Sequence, residues 1–283
     1  MAASLNEILA DLAAETEVLE GMLAGLPADV WDVPTPADGW AIRDQISHLA
    51  FFDEMTVLAM TDADRFRTEV DSQIAGGMDF PDRIAARFRD MPVADLHSWF
   101  RTARHNLLAE CNGRDASERV VWYGPAMSLA SCVTARLMET WAHGQDVADA
   151  LGVHREPTAR LKHVAHLGVR ALPYAYAVRR REVPQAPIRV ELSGPDGAVW
   201  TWGPSDAVDR VVGNALDFCL VVAQRRHHHD TNLTITGPVA SEWMEIAQAF
   251  AGAAGPGRKP AASQIPAAQA VRASAPRLVP AGN

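Results

Sequence analysis

The sequence has few of the features that mark secreted or membrane proteins. Its three cysteines, Cys111, Cys132 and Cys219, are far apart and form no C-x-x-C pair. This spacing argues against a disulfide framework or a zinc knuckle and predicts buried free thiols. No run approaches the ~20 consecutive apolar residues of a membrane span, and the N-terminus lacks the basic segment typical of a signal peptide. We therefore expect a cytoplasmic protein with no membrane partner.

An excess of positive charge is also missing. The chain has 26 Lys and Arg against 35 Asp and Glu, which gives a formal net charge of -9. This balance argues against a general affinity for nucleic acid, whose phosphates are bound mainly by Lys and Arg. With 283 residues, 48% of them hydrophobic, the chain is long enough to bury a core. We expect a small molecule as its substrate or ligand.

Apolar residues at helical spacing predict four main helices in the first half of the chain. Their segments are residues 5–26, 41–60, 93–111 and 126–151. Ser4 with Glu7 is typical of a capping box at the start of the first helix. The charged segment 62–90 between the second and third helices predicts short helices or a lid. Four long helices joined by loops indicate an antiparallel bundle, a frame that holds metals on inward-facing side chains.

The pattern changes after a linker at residues 154–157. A helix bent at Pro173 is predicted over residues 158–181, and alternating residues around a Gly-Pro turn predict a β-hairpin over residues 188–202. Further along we expect a helix over 207–226, a strand over 233–237 and a helix over 239–250. The fold class predicted for the whole chain is α+β.

Three regions follow from these elements. Residues 1–155 are predicted to form the helical bundle, and residues 156–252 a small α+β domain. From Ala253 onward the chain is rich in Ala, Pro, Gly and Ser. Such a composition cannot build a core, so a disordered tail is predicted over residues 253–283.

The stretch Leu137–Asp146 contains the residues best suited to chemistry. On a helix, Glu139 and His143 are four positions apart and leave the same face, so a carboxylate and an imidazole can share one ion. Asp146 follows three positions later and could be a ligand, orient the imidazole or accept a proton. If the helix that carries His48 packs alongside, the set becomes a metal site of the catalytic type with open positions. Zinc suits these donors, as do iron(II) and nickel.

Each of these residues also has an ordinary interpretation. An E-x-x-x-H pair is often a solvated ion pair, and a histidine beside an apolar helix face, such as His48, is often a core residue. The neighbours Met138 and Trp141 favour the metal, because they indicate a buried carboxylate that needs a partner. A second run, His227–His229, has a metal-like composition. Adjacent histidines on a helix point in different directions, so a solvated helix end is expected there.

Two segments together resemble the metal-binding signature of the DinB-like superfamily. They are Thr35–Leu49, which contains His48, and Glu139–Asp146. Residues 5–155 resemble more closely the N-terminal domain of mycothiol-dependent maleylpyruvate isomerases. The segments 213–217 and 233–238 are similar, more loosely, to the C-terminal domain of the same family.

The resemblance implies a DinB-like four-helix bundle with a divalent ion, zinc in the isomerase, at the positions that match His48, Glu139 and His143. It also implies an active-site arginine from the C-terminal domain, for which Arg225 and Arg226 are the candidates. That arginine would pair with a substrate carboxylate. The implied chemistry is attack on a small electrophile by a low-molecular-weight thiol such as mycothiol, giving isomerisation or transfer.

Two other functions agree with the same residues. If water replaces the thiol, the site supports a hydrolase or a lyase of a biosynthetic pathway. A protein that binds metal without turnover is the other alternative. The metal signature is common to all three, so it does not choose among them.

Overall fold

The structure is a computed structural model and describes residues 3–261. Its first half is a helical bundle with a small β-hairpin before the last helix. A short 3-10 helix, Ala28–Asp32, precedes the second α-helix. In chain order the elements are α1 (Leu5–Leu23), α2 (Ile42–Thr61), α3 (Ala63–Ile74), α4 (Phe80–Arg87), α5 (Val93–Cys111), β1 (Arg119–Val120), β2 (Met127–Ser128) and α6 (Leu129–Leu151).

The four main helices predicted for this half are confirmed as α1, α2, α5 and α6, and the charged segment forms α3 and α4. Ser4 and Glu7 form the predicted capping box. Helix α2 packs against α5 and α6, and α1 packs against α6. The helices meet through apolar stripes, and Leu12, Ile46 and Leu137 are fully buried between them.

The second half is the predicted α+β unit. Its sheet has the order β4-β3-β5-β6, in which β3 pairs antiparallel with β4 and parallel with β5, and β5 pairs antiparallel with β6. The β-hairpin predicted between residues 188 and 202 is confirmed as β3 and β4. The elements are α7 (Leu161–Arg170), α8 (Leu172–Ala177), β3 (Ile188–Ser193), β4 (Val199–Trp202), β5 (Asp209–Asn214), α9 (Ala215–Val222), β6 (Thr234–Thr236) and α10 (Pro238–Ile246).

The helix predicted over residues 207–226 is wrong in its first part. Residues Asp209–Asn214 form β5, and the helix begins only at Ala215. A short apolar run in a central strand has the same composition as a buried helix, and the parallel partner β3 is about twenty residues away in sequence. The change of structure occurs at Asn214, whose side chain caps α9 by accepting a hydrogen bond from the Asp217 amide at 2.7 Å.

One cluster of buried apolar side chains extends from α1 and α6 into α7, α9 and α10. The core therefore continues across residue 155, and the division of the chain there stays a prediction. The first part of the predicted tail, residues 253–261, lies against the protein because Arg258 donates to the buried Asp146 at 2.9 Å. The rest, residues 262–283, lies outside the described residues. Among residues 3–261, no helix is long and apolar enough to cross a membrane.

Glu15 of α1 connects the bundle to the second half. Its carboxylate is 2% exposed and accepts hydrogen bonds from Arg155 and from Arg160, the latter at 2.7 Å. Both arginines belong to the linker that leads to α7. Arg155 also donates to the carbonyl of Trp141 on α6 at 2.9 Å. The orientation of the two halves thus depends on a buried carboxylate with two guanidinium partners.

Replacing Glu15 by glutamine is expected to lower the free energy of unfolding by about 3 kcal/mol or more, because the guanidinium groups of Arg155 and of the half-buried Arg160 lose their counter-charge. Urea denaturation followed by circular dichroism measures this loss. Glu17→Ala, at an exposed position of the same helix, is the control and should stay within about 0.5 kcal/mol of the parent. Equal stability of the two variants would contradict the role given to Glu15.

Candidate metal centre

His48, Glu139 and His143 come together where α2 packs against α6. The Nε2 atom of His143 lies 3.1 Å from Glu139 Oε2, and the Nε2 atom of His48 lies 3.8 Å from the same oxygen. One ligand atom of each residue lies within 4.8 Å of the other two. Ligands bonded at about 2.0–2.2 Å to a tetrahedral zinc ion lie roughly 3.4 Å apart, so these separations suit such an ion. The packing of α2 on α6 thus gathers residues that are nearly 100 positions apart.

Aromatic rings hold the two imidazoles in place. Trp40, in the loop before α2, stacks on His143 with ring centroids 5.9 Å apart. Phe52, one turn after His48, lies 4.5 Å from that imidazole between ring centroids. The two imidazole rings are themselves 4.4 Å apart. These contacts limit the rotation of both histidines and keep their Nε2 atoms close to Glu139.

A hydrogen-bonded chain fixes the tautomer of His143. The buried Gln45 accepts a hydrogen bond from Nδ1 of His143 through its Oε1 atom. Its amide nitrogen donates to the Thr35 hydroxyl at 2.8 Å, and that hydroxyl donates to the carbonyl of Trp40 at 2.9 Å. This chain sets the orientation of the Gln45 amide, so Nδ1 of His143 carries the proton. The lone pair of Nε2 is then free to bind a metal.

The electrostatics favour a neutral His48 and an ionised Glu139. Burial, with a smaller contribution from the nearby His143, lowers the pKa of His48 to about 3. Burial alone would raise the pKa of Glu139, but the adjacent imidazoles of His143 and His48, together with Arg136, outweigh it and hold that pKa well below the usual range. Metal binding requires these protonation states of the two residues.

His48 lacks the hydrogen bonds expected of a buried imidazole. Its Nδ1 atom is buried and has no partner among the described residues. Its Nε2 atom lies 3.8 Å from Glu139 Oε2, beyond hydrogen-bond length. Because Nε2 forms no hydrogen bond among the described residues, a cation held between the three residues would give this nitrogen a partner, while Nδ1 would remain without one. The donor set therefore fits a divalent ion.

Asp146 is not part of this cluster. It is fully buried, and its carboxylate accepts from Arg225 at 2.7 and 3.1 Å and from Arg258 at 2.9 Å. Both ring nitrogens of His143 have other partners, so the bond predicted from Asp146 to His143 is not formed. The Nδ1 atom of His143 bonds Gln45 instead. The Asp146 carboxylate is occupied by two guanidinium groups from the second half of the chain.

The other predicted groups lie farther from the site. Arg226 forms a bidentate ion pair with Asp149 at 2.7 and 2.9 Å and does not line the cavity described below. The expectation for His227–His229 is wrong in its geometry. His227 is the N-cap of a short 3-10 helix, His228–Asp230, and ligand atoms of all three histidines lie within 4.8 Å of one another. Glu245 accepts from His228 at 2.7 Å.

A cavity of about 510 Å³ lies between the bundle and the second half. His48, Glu139 and His143 lie on its wall together with Arg136 and Arg225. A second set of lining residues forms what we call the aromatic wall. Its members are Phe52, Phe80, Trp122 and Tyr123. A cavity of this size with convergent polar groups is typical of a small-molecule site.

Sequence reasoning did not identify Gln45 and Arg136 as site residues. Gln45 precedes His48 by three positions, and Arg136 precedes Glu139 by three positions. Residues three apart share a helix face, so this spacing was the available signal. The residues that close the cavity from the second half, Ala249–Ala253, have no comparable pattern in the sequence.

Comparison with known proteins gives two family matches along the chain. The mycothiol maleylpyruvate isomerase N-terminal domain family matches residues 12–148. The wyosine base formation family matches residues 184–235. The first match covers the helices that carry His48, Glu139 and His143, and the second covers most of the sheet.

The uncharacterized proteins MT0041 and Rv0036c of Mycobacterium tuberculosis, from strains CDC 1551 / Oshkosh and ATCC 25618 / H37Rv, are each 46% identical to this chain over 250 residues. The match covers 88% of this chain and 97% of theirs.

Among solved structures, the mycothiol-dependent maleylpyruvate isomerase superposes with a TM-score of 0.55 at 13% identity, over 82% of this chain and 93% of the isomerase. A point mutant of that enzyme gives 0.55 at 14% identity, over 79% and 90%. At such identity the likeness establishes the fold. The chain belongs to one family with the two mycobacterial proteins, and its residues 12–148 match the mycothiol maleylpyruvate isomerase N-terminal domain family.

Proposed function

We propose that this protein is a divalent-metal-dependent enzyme of the maleylpyruvate isomerase type. It would use a low-molecular-weight thiol, such as mycothiol, for isomerisation of, or transfer to, a small electrophilic substrate. One observation carries the proposal: two imidazoles and a carboxylate converge on the wall of a cavity of about 510 Å³. The family match supports the use of a thiol.

His48, Glu139 and His143 would hold the ion, and zinc, iron(II) and nickel all suit this donor set. When bound, such an ion supplies a Lewis acid that favours the deprotonated form of a thiol or of water. The protein orients the donors. Gln45 fixes the tautomer of His143, and Trp40 and the other rings keep the imidazoles in place.

The remaining candidates have roles that follow from their contacts. Asp146 binds Arg225 and keeps its guanidinium at the cavity wall, so we assign Asp146 a positioning role. Arg225 donates from all three of its nitrogens, to Asp146 and to the carbonyl of Ala223. Arg226 is paired with Asp149 and has no part in the proposed reaction.

Metal binding is the first prediction. Protein prepared without a histidine tag is expected to bind one zinc ion at this site, and His48→Ala and Glu139→Gln should each weaken that binding by about a hundredfold or more, since a metal ligand is lost. Elemental analysis and competition with a chelating dye measure it. The double variant His228→Ala/His229→Ala is the control, because it removes any binding at the second histidine cluster. Full zinc occupancy in His48→Ala would contradict the site.

The role of Gln45 is a separate prediction. Gln45→Ala should lower zinc affinity by about 10- to 100-fold, because the hydrogen bond that orients His143 is lost. Gln145→Ala, the same substitution on α6 at a residue that bonds Asp149, should leave the affinity unchanged. If both variants bind zinc equally well, the hydrogen-bonded chain through Thr35 has no part in metal binding.

Turnover distinguishes the proposed enzyme from its alternatives. Maleylpyruvate and other electrophiles are assayed with mycothiol, and His143→Ala is expected to lower kcat/KM by about a hundredfold or more, because the Lewis acid is lost. His154→Ala, whose imidazole is exposed in the linker, is the matched control. Metal-dependent turnover without thiol would favour a hydrolase or lyase. No turnover of any substrate by metal-loaded protein would favour a binding protein.

A further inference from the structure

Arg136 is a buried arginine whose guanidinium makes no hydrogen bond to any residue that the structure describes. It is 4% exposed and lines the cavity beside the metal cluster. Its Nη1 atom is buried without a hydrogen-bond partner among the described residues. A buried guanidinium with unused donors is energetically unfavourable unless another group supplies the acceptors. This makes Arg136 unlike the other arginine on the cavity wall, Arg225, whose nitrogens all donate to protein oxygens.

The nearest carboxylate within the protein does not remove this deficit. Asp53 Oδ1 lies 4.0 Å from Arg136 Nη1, beyond hydrogen-bond length. The other oxygen of Asp53 already accepts from Arg104 at 2.7 Å. Even if the Asp53–Arg136 pair closed, it would use one nitrogen of Arg136 and leave the remaining donors without acceptors. Arg104 and Arg136 together carry more positive charge than Asp53 can balance.

The position of Arg136 points to the cavity. It precedes Glu139 by three residues on α6, so the two side chains share a helix face, and its positive charge lowers the pKa values of both Glu139 and His48. With the proposed divalent ion in place, this end of the cavity has a net positive charge. An oxyanion on the bound molecule would balance it and accept the unused donors.

The rest of the cavity is apolar. In the aromatic wall, Phe80 stacks on Tyr123 with ring centroids 5.2 Å apart, and Phe52 lies 5.5 Å from Tyr123. Ile74 and the half-exposed Met78 extend this surface from the α3–α4 region. A small molecule with charge at both ends would leave this wall without a partner. A molecule with an apolar body would bury it.

We propose that Arg136 binds an oxyanion of the substrate while the aromatic wall takes an apolar body. The substrate class is then an amphiphilic carboxylate: a carboxyl group on an aromatic or aliphatic frame. This inference rests on the proposed function, because it names the substrate of the same site. It makes Arg136 a specificity-determining residue that contacts the bound molecule.

Calorimetric titration of the zinc-loaded full chain tests the assignment with three probes: 4-phenylbutyrate, its uncharged amide 4-phenylbutanamide, and maleate as a small diacid. The parent protein is expected to bind phenylbutyrate at least about tenfold more tightly than the amide, since a charge-assisted hydrogen bond is made. Arg136→Gln should remove most of this difference and leave the affinity for the amide unchanged. Arg226→Gln, which removes an arginine outside the cavity, should preserve the difference.

Several outcomes would overturn the inference. If Arg136→Gln keeps the parent's preference for phenylbutyrate, or if phenylbutyrate does not bind, Arg136 is not the oxyanion receptor. If maleate binds more tightly than phenylbutyrate, the apolar part of the assignment is wrong. Where Arg136→Gln does not fold, Arg136→Lys takes its place, and its preference for phenylbutyrate over the amide should fall at least about threefold, because an ammonium cannot reproduce the bidentate contact. An unchanged preference in that variant would overturn the assignment.

A failure of the proposed function gives a different result. The same titrations in zinc-free protein report on Arg136 without the metal. In one outcome, the protein binds no zinc and shows no thiol-dependent turnover, and still prefers phenylbutyrate in an Arg136-dependent way. That result would contradict the enzyme proposal and support this inference. A protein that binds zinc and shows thiol-dependent turnover, but has no Arg136-dependent preference for phenylbutyrate, would support the enzyme proposal and contradict this inference.

Discussion

Almost every buried charge in this protein has a partner from a distant part of the chain, and these pairs position the cavity. Glu15 of α1 holds Arg155 and Arg160 of the linker, and Asp146 of α6 holds Arg225 and Arg258 from the second half. A charge removed from water is tolerated only when its partner is well placed. These pairs therefore act with the shared apolar core to set how the second half covers the bundle.

Two exceptions to this rule, among the described residues, lie at the site. His48 has a buried nitrogen without a partner, and Arg136 has a guanidinium without hydrogen bonds. Both groups line the same cavity, on α2 and α6. Other charged residues, such as Arg155 and Arg258, also have one buried nitrogen without a partner, but each of them forms an ion pair through its other nitrogens. The guanidinium of Arg136 forms no hydrogen bond among the described residues, and it lines the same cavity as the three proposed metal ligands. The proposed cation and the proposed oxyanion would both bind at this end of the cavity.

Local patterns predicted the long helices and the Glu139–His143 pair, because these depend on spacing within one helix. His48 lies close to this pair because α2 packs on α6. The spacing of residues within one helix gives no information about how two helices pack. Strand β5 was missed because its parallel partner is distant in sequence, and its apolar run also suits a buried helix. The three adjacent histidines converge because the chain makes a 3-10 turn there, and not the helix that was assumed.

The sequence of α6 does contain the organisation of the site. Arg136, Glu139, His143 and Asp146 follow one another at spacings of three, four and three, so they form one stripe along the helix. Such a polar stripe is ordinarily the solvated side of a surface helix. Here Leu137, Met138, Ala142 and Val147 on the flanking faces are buried, so the stripe has no solvated side. Polar residues at helical spacing that are enclosed by apolar neighbours must find partners inside the protein or in a bound molecule. Asp146 pairs with two arginines, whereas Arg136, Glu139 and His143 line the cavity, where the proposed cation and substrate would bind them.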